Sequence, residues 1–460
     1  MSILYTCCVP HPPLIIPEVG KGEEKKIQDT IHSYHEVMKK VTSFHPETII
    51  IISPHNTSYI DYFNISEGAH AEGDFGQFRA KQVKITCDYD EEFVEALCHH
   101  TENSGVPAGT LGQRTKRLDH GTMIPLYFLN QYMTDYKVVR MGLSGLSYQD
   151  HYHLGQLIRK TADELNRKVV IIASGDLSHK LKESGPYGYV QEGPEFDHKV
   201  IEALSHGKFL DLMTMDYGFC ERAAECGLRS FIIMAGALDC LSVKPTFYSY
   251  EGPFGVGYGV VGFDIGEKDP TRNFGEQVKK YEEEKILAIR KAEDPYVRWA
   301  RNVVESYVMN KTVPALPSKL PESMLNNRAG VFVSIKKDGQ LRGCIGTFQP
   351  TTDNIALEIR NNAISASTRD PRFSPIINIE LPKLIYSVDI LGDVTPATYE
   401  ELDPQKYGVI VKHHEKRGLL LPRLDGVDTV SEQIEIAARK AGIYDDEDIE
   451  LFKFEVVRHY

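Results

Sequence analysis

Two hydrophobic patterns alternate along the first half of the chain. The runs "SILYTCCV" (2–9), "TIIIIS" (48–53), "YKVVRMGL" (136–143) and "VVIIAS" (169–174) are short, unbroken and rich in β-branched residues, which predicts strands buried on both faces. Polar amphipathic segments such as "EEKKIQDTIHSYHEVMKKV" and "DEEFVEALCHH" lie between them and predict helices. Strands alternating with helices predict an α/β architecture, a mixed or largely parallel sheet sandwiched by helices. The segment "FGVGYGVVGFDIG" predicts a late strand closing this unit near Gly266. A charged stretch, "EKDPTRNFGEQVKKYEEEKILAIRKAEDP", predicts a linking helix, with Pro295 suited to the first turn of the next element. Beyond it, helical patterns ("YVRWARNVVESYV", "SEQIEIAARKAGI") mix with strand patterns ("AGVFVSIKK", "IYSVDILG", "YGVIVKHH"), which predicts an α+β module. At 460 residues the chain is long for one domain, and two are expected, 1–270 and 285–460, with the boundary in about residues 266–290.

Charge narrows the function classes. A formal net charge of −13 with no basic stripe argues against non-specific binding to nucleic acid or to an anionic membrane surface. No apolar run reaches the roughly 18 to 20 residues that span a bilayer, and no basic segment precedes the apolar part of the N-terminus, so the expected location is cytoplasmic. The eight cysteines are scattered, Cys7 beside Cys8, with no paired CxxC spacing, which predicts reduced thiols and no structural zinc. Histidine usage is uneven. Fourteen of the seventeen lie between His11 and His206, which places any histidine chemistry in the first half.

Three of the apolar strands each deliver a histidine just past the carboxyl end: "ILYTCCVPH" ends in His11, "IIIISPH" in His55 and "IIASGDLSH" in His179. One such histidine would be an ordinary polar turn residue. Three at equivalent positions predict convergence, because ligands of open α/β sheets bind in the crevice outside the carboxyl ends of the strands. His120, in "RLDHGTMIPLYFL", could join them. Two histidines and a carboxylate make the facial triad of non-haem iron sites. The candidate carboxylate is Glu225, in "ERAAECGLRSFIIMAGALDCL", read as opening an apolar helix. Its neighbour Cys226 is a rival ligand whose thiolate would favour zinc or a redox role.

Together "VPHPPLIIPEVG", "ISPHN", "LDHGTMIPL", "SGDLSH" and the "ECG" segment resemble, in order and over about 265 residues, the LigB group of class III extradiol ring-cleaving dioxygenases and the related Memo proteins. The resemblance implies Fe(II) held by His11, His55 and Glu225, with zinc the alternative metal, His179 as acid/base and His120 placing substrate or oxygen. It implies an oxidoreductase acting on a catecholic or related small aromatic molecule that chelates the metal. Memo-like relatives use a cysteine near the carboxylate position, and the alternative is a metal-binding protein without ring cleavage. Tyr187 and Tyr189 in "GPYGY" read as surface loop aromatics.

The segments "LRGCIGTFQP" (341–350), "STRDPRFSP" (367–375) and "GLLLPRL" (418–424) closely resemble the AMMECR-type domain. A chain joining the two halves resembles the AmmeMemoRadiSam system protein A type, which implies a radical S-adenosylmethionine protein as partner. Arg342 and Cys344 lie two apart, so on a strand they share a face, and the guanidinium is expected to lower the thiol pKa and make a second site. The alternative is a small buried cysteine in a glycine turn. Arg369 and Arg372 either clamp an anion or pair with Asp370.

Overall fold

Every residue of Thr48–Ile52 is buried, and its isoleucines alternate between two cores: Ile49 and Ile51 join one, Ile50 and Ile52 the other. Each isoleucine taken fully out of water contributes about 1.5–3 kcal/mol, which is why so polar a chain holds this strand in its centre. The same alternation, Val170 and Ile172 against Ile171 and Ala173, runs through Val169–Ser174.

The computed structural model describes residues 2–424, 426–443 and 448–460. The chain divides into two units, residues 1–280 and 281–460. In the first, the strands are β1 (Ile3–Val9), β2 (Thr48–Ile52), β3 (Lys137–Met141), β4 (Val169–Ser174), β5 (Leu241–Glu251) and β6 (Tyr258–Lys268). They form one six-stranded sheet in the order β3-β2-β4-β1-β6-β5. The first four are parallel. β6 runs antiparallel to β1, and β5 antiparallel to β6. β5 was not anticipated in the sequence; it is a half-exposed edge strand that carries Pro245, a residue edges tolerate.

Helices α1 (Gln28–Ser43) and α2 (His120–Leu129) pack in one core, α3 (Tyr148–Glu164) and α4 (Leu228–Ala237) in the other. α3 and α4 approach closely: a Cβ on Gly155 would stand 1.9 Å from the Ile233 carbonyl oxygen. The helix read as opening at Glu225 begins instead at Leu228.

The second unit has two four-stranded antiparallel sheets. One joins Gln340–Thr347, Val331–Lys337, Leu384–Leu391 and Val456–His459, and packs on helices Pro295–Asn310 and Ile355–Thr368. Pro295 is the first residue of its helix, capped by the Asp294 carboxylate. The other joins Thr395–Pro396, Glu450–Phe454, Gly408–His413 and Lys416–Leu420, and packs on helix Val430–Lys440. No described helix is long and apolar enough to cross a membrane.

Candidate functional site

β2, β4 and β1 are consecutive in the sheet and parallel, so their carboxyl ends lie side by side. Register aligns the ends: Val9 pairs with Ser174, and Ile52 with Ala173. The residues just beyond each strand therefore meet. His11 Nε2 and His55 Nε2 stand 3.0 Å apart, and Cys226 Sγ lies 3.7 Å from His11 Nε2. The ligand atoms of His11, His55 and Cys226 all fall within 4.8 Å of one another.

This spacing fits a metal ion. With metal–nitrogen and metal–sulfur bonds of about 2.0 and 2.3 Å, tetrahedral ligand atoms stand roughly 3.3 to 3.6 Å apart. The hydrogen bonding fits too. Ser174 Oγ donates to the Gly121 carbonyl at 2.6 Å and lies 2.9 Å from His11 Nδ1. Its proton being spent, the hydroxyl accepts from His11 Nδ1–H, which leaves the Nε2 lone pair facing the cluster. Burial pushes His11 well below the usual histidine range, and burial lowers His55 as well, so both are neutral and free to ligate.

Cys226 reaches the histidines because two glycines touch. A Cβ on Gly175, immediately after β4, would stand 2.2 Å from Gly227 Cα, immediately before α4. At that approach Asp176 N–H donates to Cys226 Sγ at 3.3 Å, and Cys226 N–H donates to the Asp176 carbonyl at 3.4 Å. The Asp176 carboxylate in turn accepts from His11 N–H at 2.7 Å, and burial pushes its pKa up to about 6. Asp176 thus braces two of the three cluster residues.

Glu225, expected as the third ligand, is placed differently. Its carboxylate accepts from Leu228 N–H at 2.7 Å, satisfying one of the free donors at the start of α4, and among the described residues it is not part of the metal-competent group. Burial pushes its pKa up to about 7.

The other two histidines border the cluster. The His120 ring lies 4.0 Å from that of His55 and 5.4 Å from that of His11, and burial together with those neighbours drops its pKa to about 3. It heads α2, whose cap Asp119 also accepts from Ser53 Oγ, and that hydroxyl accepts from His55 N–H at 3.2 Å. His179 is half-buried, its Nδ1 enclosed with no hydrogen-bond partner among the described residues, and its ring meets the exposed Tyr187 edge-on at 5.4 Å. A cavity of about 420 Å³ opens beside Cys226, lined also by Glu225, Tyr217 and Arg229. Sequence reasoning quoted Asp176 without a role and passed over Arg229, for which no sequence signal exists.

In the second unit the expected pairing of Arg342 with Cys344 does not occur. Arg342 donates to both carboxylate oxygens of Glu380, at 2.8 and 2.9 Å, so its charge is already matched. Burial raises the Cys344 thiol pKa rather than lowering it, opposed by a hydrogen bond from Ser334 Oγ at 3.2 Å and by the Arg372 guanidinium. Arg372 itself forms the ion pair with Asp370, at 2.7 Å, and Asp370 also accepts from Cys344 N–H at 2.8 Å.

The family model "Catalytic LigB subunit of aromatic ring-opening dioxygenase" matches residues 5–261, and the AMMECR1 model matches residues 297–459. The chain is 41% identical over 467 residues to protein CA_C1420 of Clostridium acetobutylicum, covering 100% of this chain and 99% of that one. A Thermotoga maritima protein is 52% identical over 170 residues, covering 36% of this chain and 98% of its own length. Among solved structures, Pyrococcus horikoshii PH0010 is similar with a TM-score of 0.33 and 27% identity over 35% of this chain and 88% of that one. Escherichia coli JW3007 is similar with a TM-score of 0.38 and 14% identity over 56% of this chain and 99% of that one. A LigB match over more than half the chain, with a histidine and cysteine cluster at the sheet's carboxyl edge, means that the chain belongs to the LigB family, its LigB domain followed by an AMMECR1 domain.

Proposed function

We propose that the LigB unit is a metal-dependent site for an oxygen-bearing small molecule, with His11, His55 and Cys226 as the ligands. The observation that carries this reading is the convergence of these ligand atoms within 4.8 Å, with the His11 lone pair oriented by Ser174. A bound divalent ion supplies Lewis acidity, or electron transfer where it is redox-active, at the positions that three side chains leave open. A thiolate ligand shifts preference toward zinc or another thiophilic metal and away from the all-nitrogen-and-oxygen iron triad.

The chain's own residues do the rest. His179 presents an unpartnered buried nitrogen near the cluster and takes or returns the proton of the bound hydroxyl, a role worth about 10² to 10⁴ in rate. His120, neutral beside His55, orients the ligand by hydrogen bonding without adding charge.

A second reading is Fe(II)-dependent ring opening of a catechol with Glu225 as the carboxylate ligand. The LigB match and the presence of both His179 and His120 at the cluster favour it. On either reading we propose a radical S-adenosylmethionine protein as the partner of the two-domain chain, supported by the joined LigB and AMMECR1 domains.

Metal analysis of anaerobically purified protein and of His11→Ala, His55→Ala, Cys226→Ala, Glu225→Ala and His179→Ala separates the readings. On the first, the histidine ligand variants and Cys226→Ala lose metal, while Glu225→Ala and His179→Ala keep it. Metal loss in Glu225→Ala with retention in Cys226→Ala, together with oxygen uptake on a catechol panel, selects the second.

A further inference from the structure

The cavity beside Cys226 contains a cation that forms no direct ion pair among the described residues. Arg229 lies in the first turn of α4, three residues after Cys226, and lines the cavity. Its guanidinium carbon stands 5.4 Å from the Tyr148 ring centroid and 5.5 Å from that of Tyr217. The two rings hold the planar fork at little further entropic cost. Its Nε is buried with no hydrogen-bond partner among the described residues. Glu225, the carboxylate sharing the cavity, is close enough to feel the Arg229 charge, but it accepts from Leu228 N–H at 2.7 Å and, among the described residues, makes no ion-pair contact with Arg229. A half-buried arginine with no direct ion pair gains from a ligand that supplies one.

We propose that Arg229 is a specificity-determining residue that binds the carboxylate of a small-molecule ligand, whose other end reaches the cluster at Cys226. The cavity, about 420 Å³, is of the size that takes a small molecule. A guanidinium meets a carboxylate through two parallel hydrogen bonds, and the neutral amide of the same shape cannot supply the charge. The proposal rests on the metal-site reading only for what the far end of the ligand meets.

The test uses benzoate and benzamide as probes, titrated calorimetrically into the full-length chain both zinc-loaded and metal-stripped, with zinc content measured alongside. Benzoate is expected to bind about tenfold or more tighter than benzamide in both forms, the size of one charge-assisted hydrogen bond. Arg229→Gln abolishes that preference. Arg229→Lys keeps part of it, because the charge remains and the fork is lost, and so serves where the glutamine variant is poorly folded by circular dichroism. Equal binding of the two probes overturns the proposal, as does a preference that survives in Arg229→Gln or appears only with zinc, which marks direct coordination. If the wild-type chain holds no zinc yet prefers benzoate, the metal-site reading fails and the role of Arg229 stands.

Discussion

His11 Nδ1 lies 2.9 Å from Ser174 Oγ, and that hydroxyl is committed as a donor to the Gly121 carbonyl. Ser174 is the last residue of β4, so the central strand itself fixes which nitrogen of His11 carries the proton. Ser174→Ala removes the acceptor and frees the ring to rotate or switch tautomer. Metal affinity is expected to fall about 10- to 100-fold while the fold persists. Competition against a chromophoric chelator measures it, and unchanged affinity would show that the hydroxyl does not orient the ligand.

Gly175 is predicted to be indispensable for a different reason. An alanine there puts Cβ 2.2 Å from Gly227 Cα, so the start of α4 must move away from the end of β4 and carry Cys226 with it. Overpacking of this kind costs about 1–3 kcal/mol. Gly175→Ala should lower the thermal midpoint by several degrees and weaken metal binding more than Gly392→Ala, whose added Cβ meets nothing closer than 3.4 Å. Equal metal affinity in the two variants would break the link between the glycine contact and the site.

Asp197 makes stability depend on pH. It accepts from Ser178 N–H and from Tyr250 OH, each at 2.7 Å, yet burial outweighs these bonds and pushes its pKa up to about 7. The folded value lies above the unfolded value of about 3.9, so its contribution to stability is complete below that pH and is lost as pH rises through 7. The thermal midpoint should fall as pH rises from about 4 to 7 and level off above it, and Asp197→Asn, neutral throughout, should flatten that fall. An identical pH slope in the variant would assign the effect to other groups.

For the second unit, Arg372→Ala should raise the Cys344 thiol pKa further, seen as a shift to higher pH in the rate of iodoacetamide labelling. Arg342→Ala should leave that profile in place and instead destabilise by about 1–3 kcal/mol, since the buried Glu380 carboxylate loses its two short guanidinium hydrogen bonds and keeps the longer contacts to Lys337 and Ile377 N–H. The opposite pattern would restore Arg342 as the group that activates the thiol. Cys344 should still label faster than Cys7 or Cys87, which are buried.

The strands and the meeting of histidines were legible because both follow from local rules. A β-branched run such as Thr48–Ile52 has little alternative to a central strand, and parallel strands put their following loops on one edge. Which of Glu225 and Cys226 faces the histidines was not legible. Glu225 and Cys226 are neighbours, and which one faces the histidines depends on Ala224 adopting φ +53° and on the Gly175–Gly227 contact, neither of which a periodicity encodes. Arg342 misled for a related reason. Its partner Glu380 lies 38 residues away, brought in by the tertiary fold, whereas Cys344 is only two residues away on the same strand. Arg229 carried no signal at all, since its neighbours Tyr148 and Tyr217 are brought to it by the tertiary fold.

The identity of the third ligand decides between the two functional readings, and X-ray absorption of the zinc-loaded full-length chain reads it directly. Wild type and Glu225→Ala should both show one sulfur scatterer at about 2.3 Å with nitrogen scatterers near 2.0 Å, and Cys226→Ser should lose the sulfur shell. A wild-type shell of nitrogen and oxygen alone, changed by Glu225→Ala and untouched by Cys226→Ser, would contradict the His11, His55 and Cys226 site.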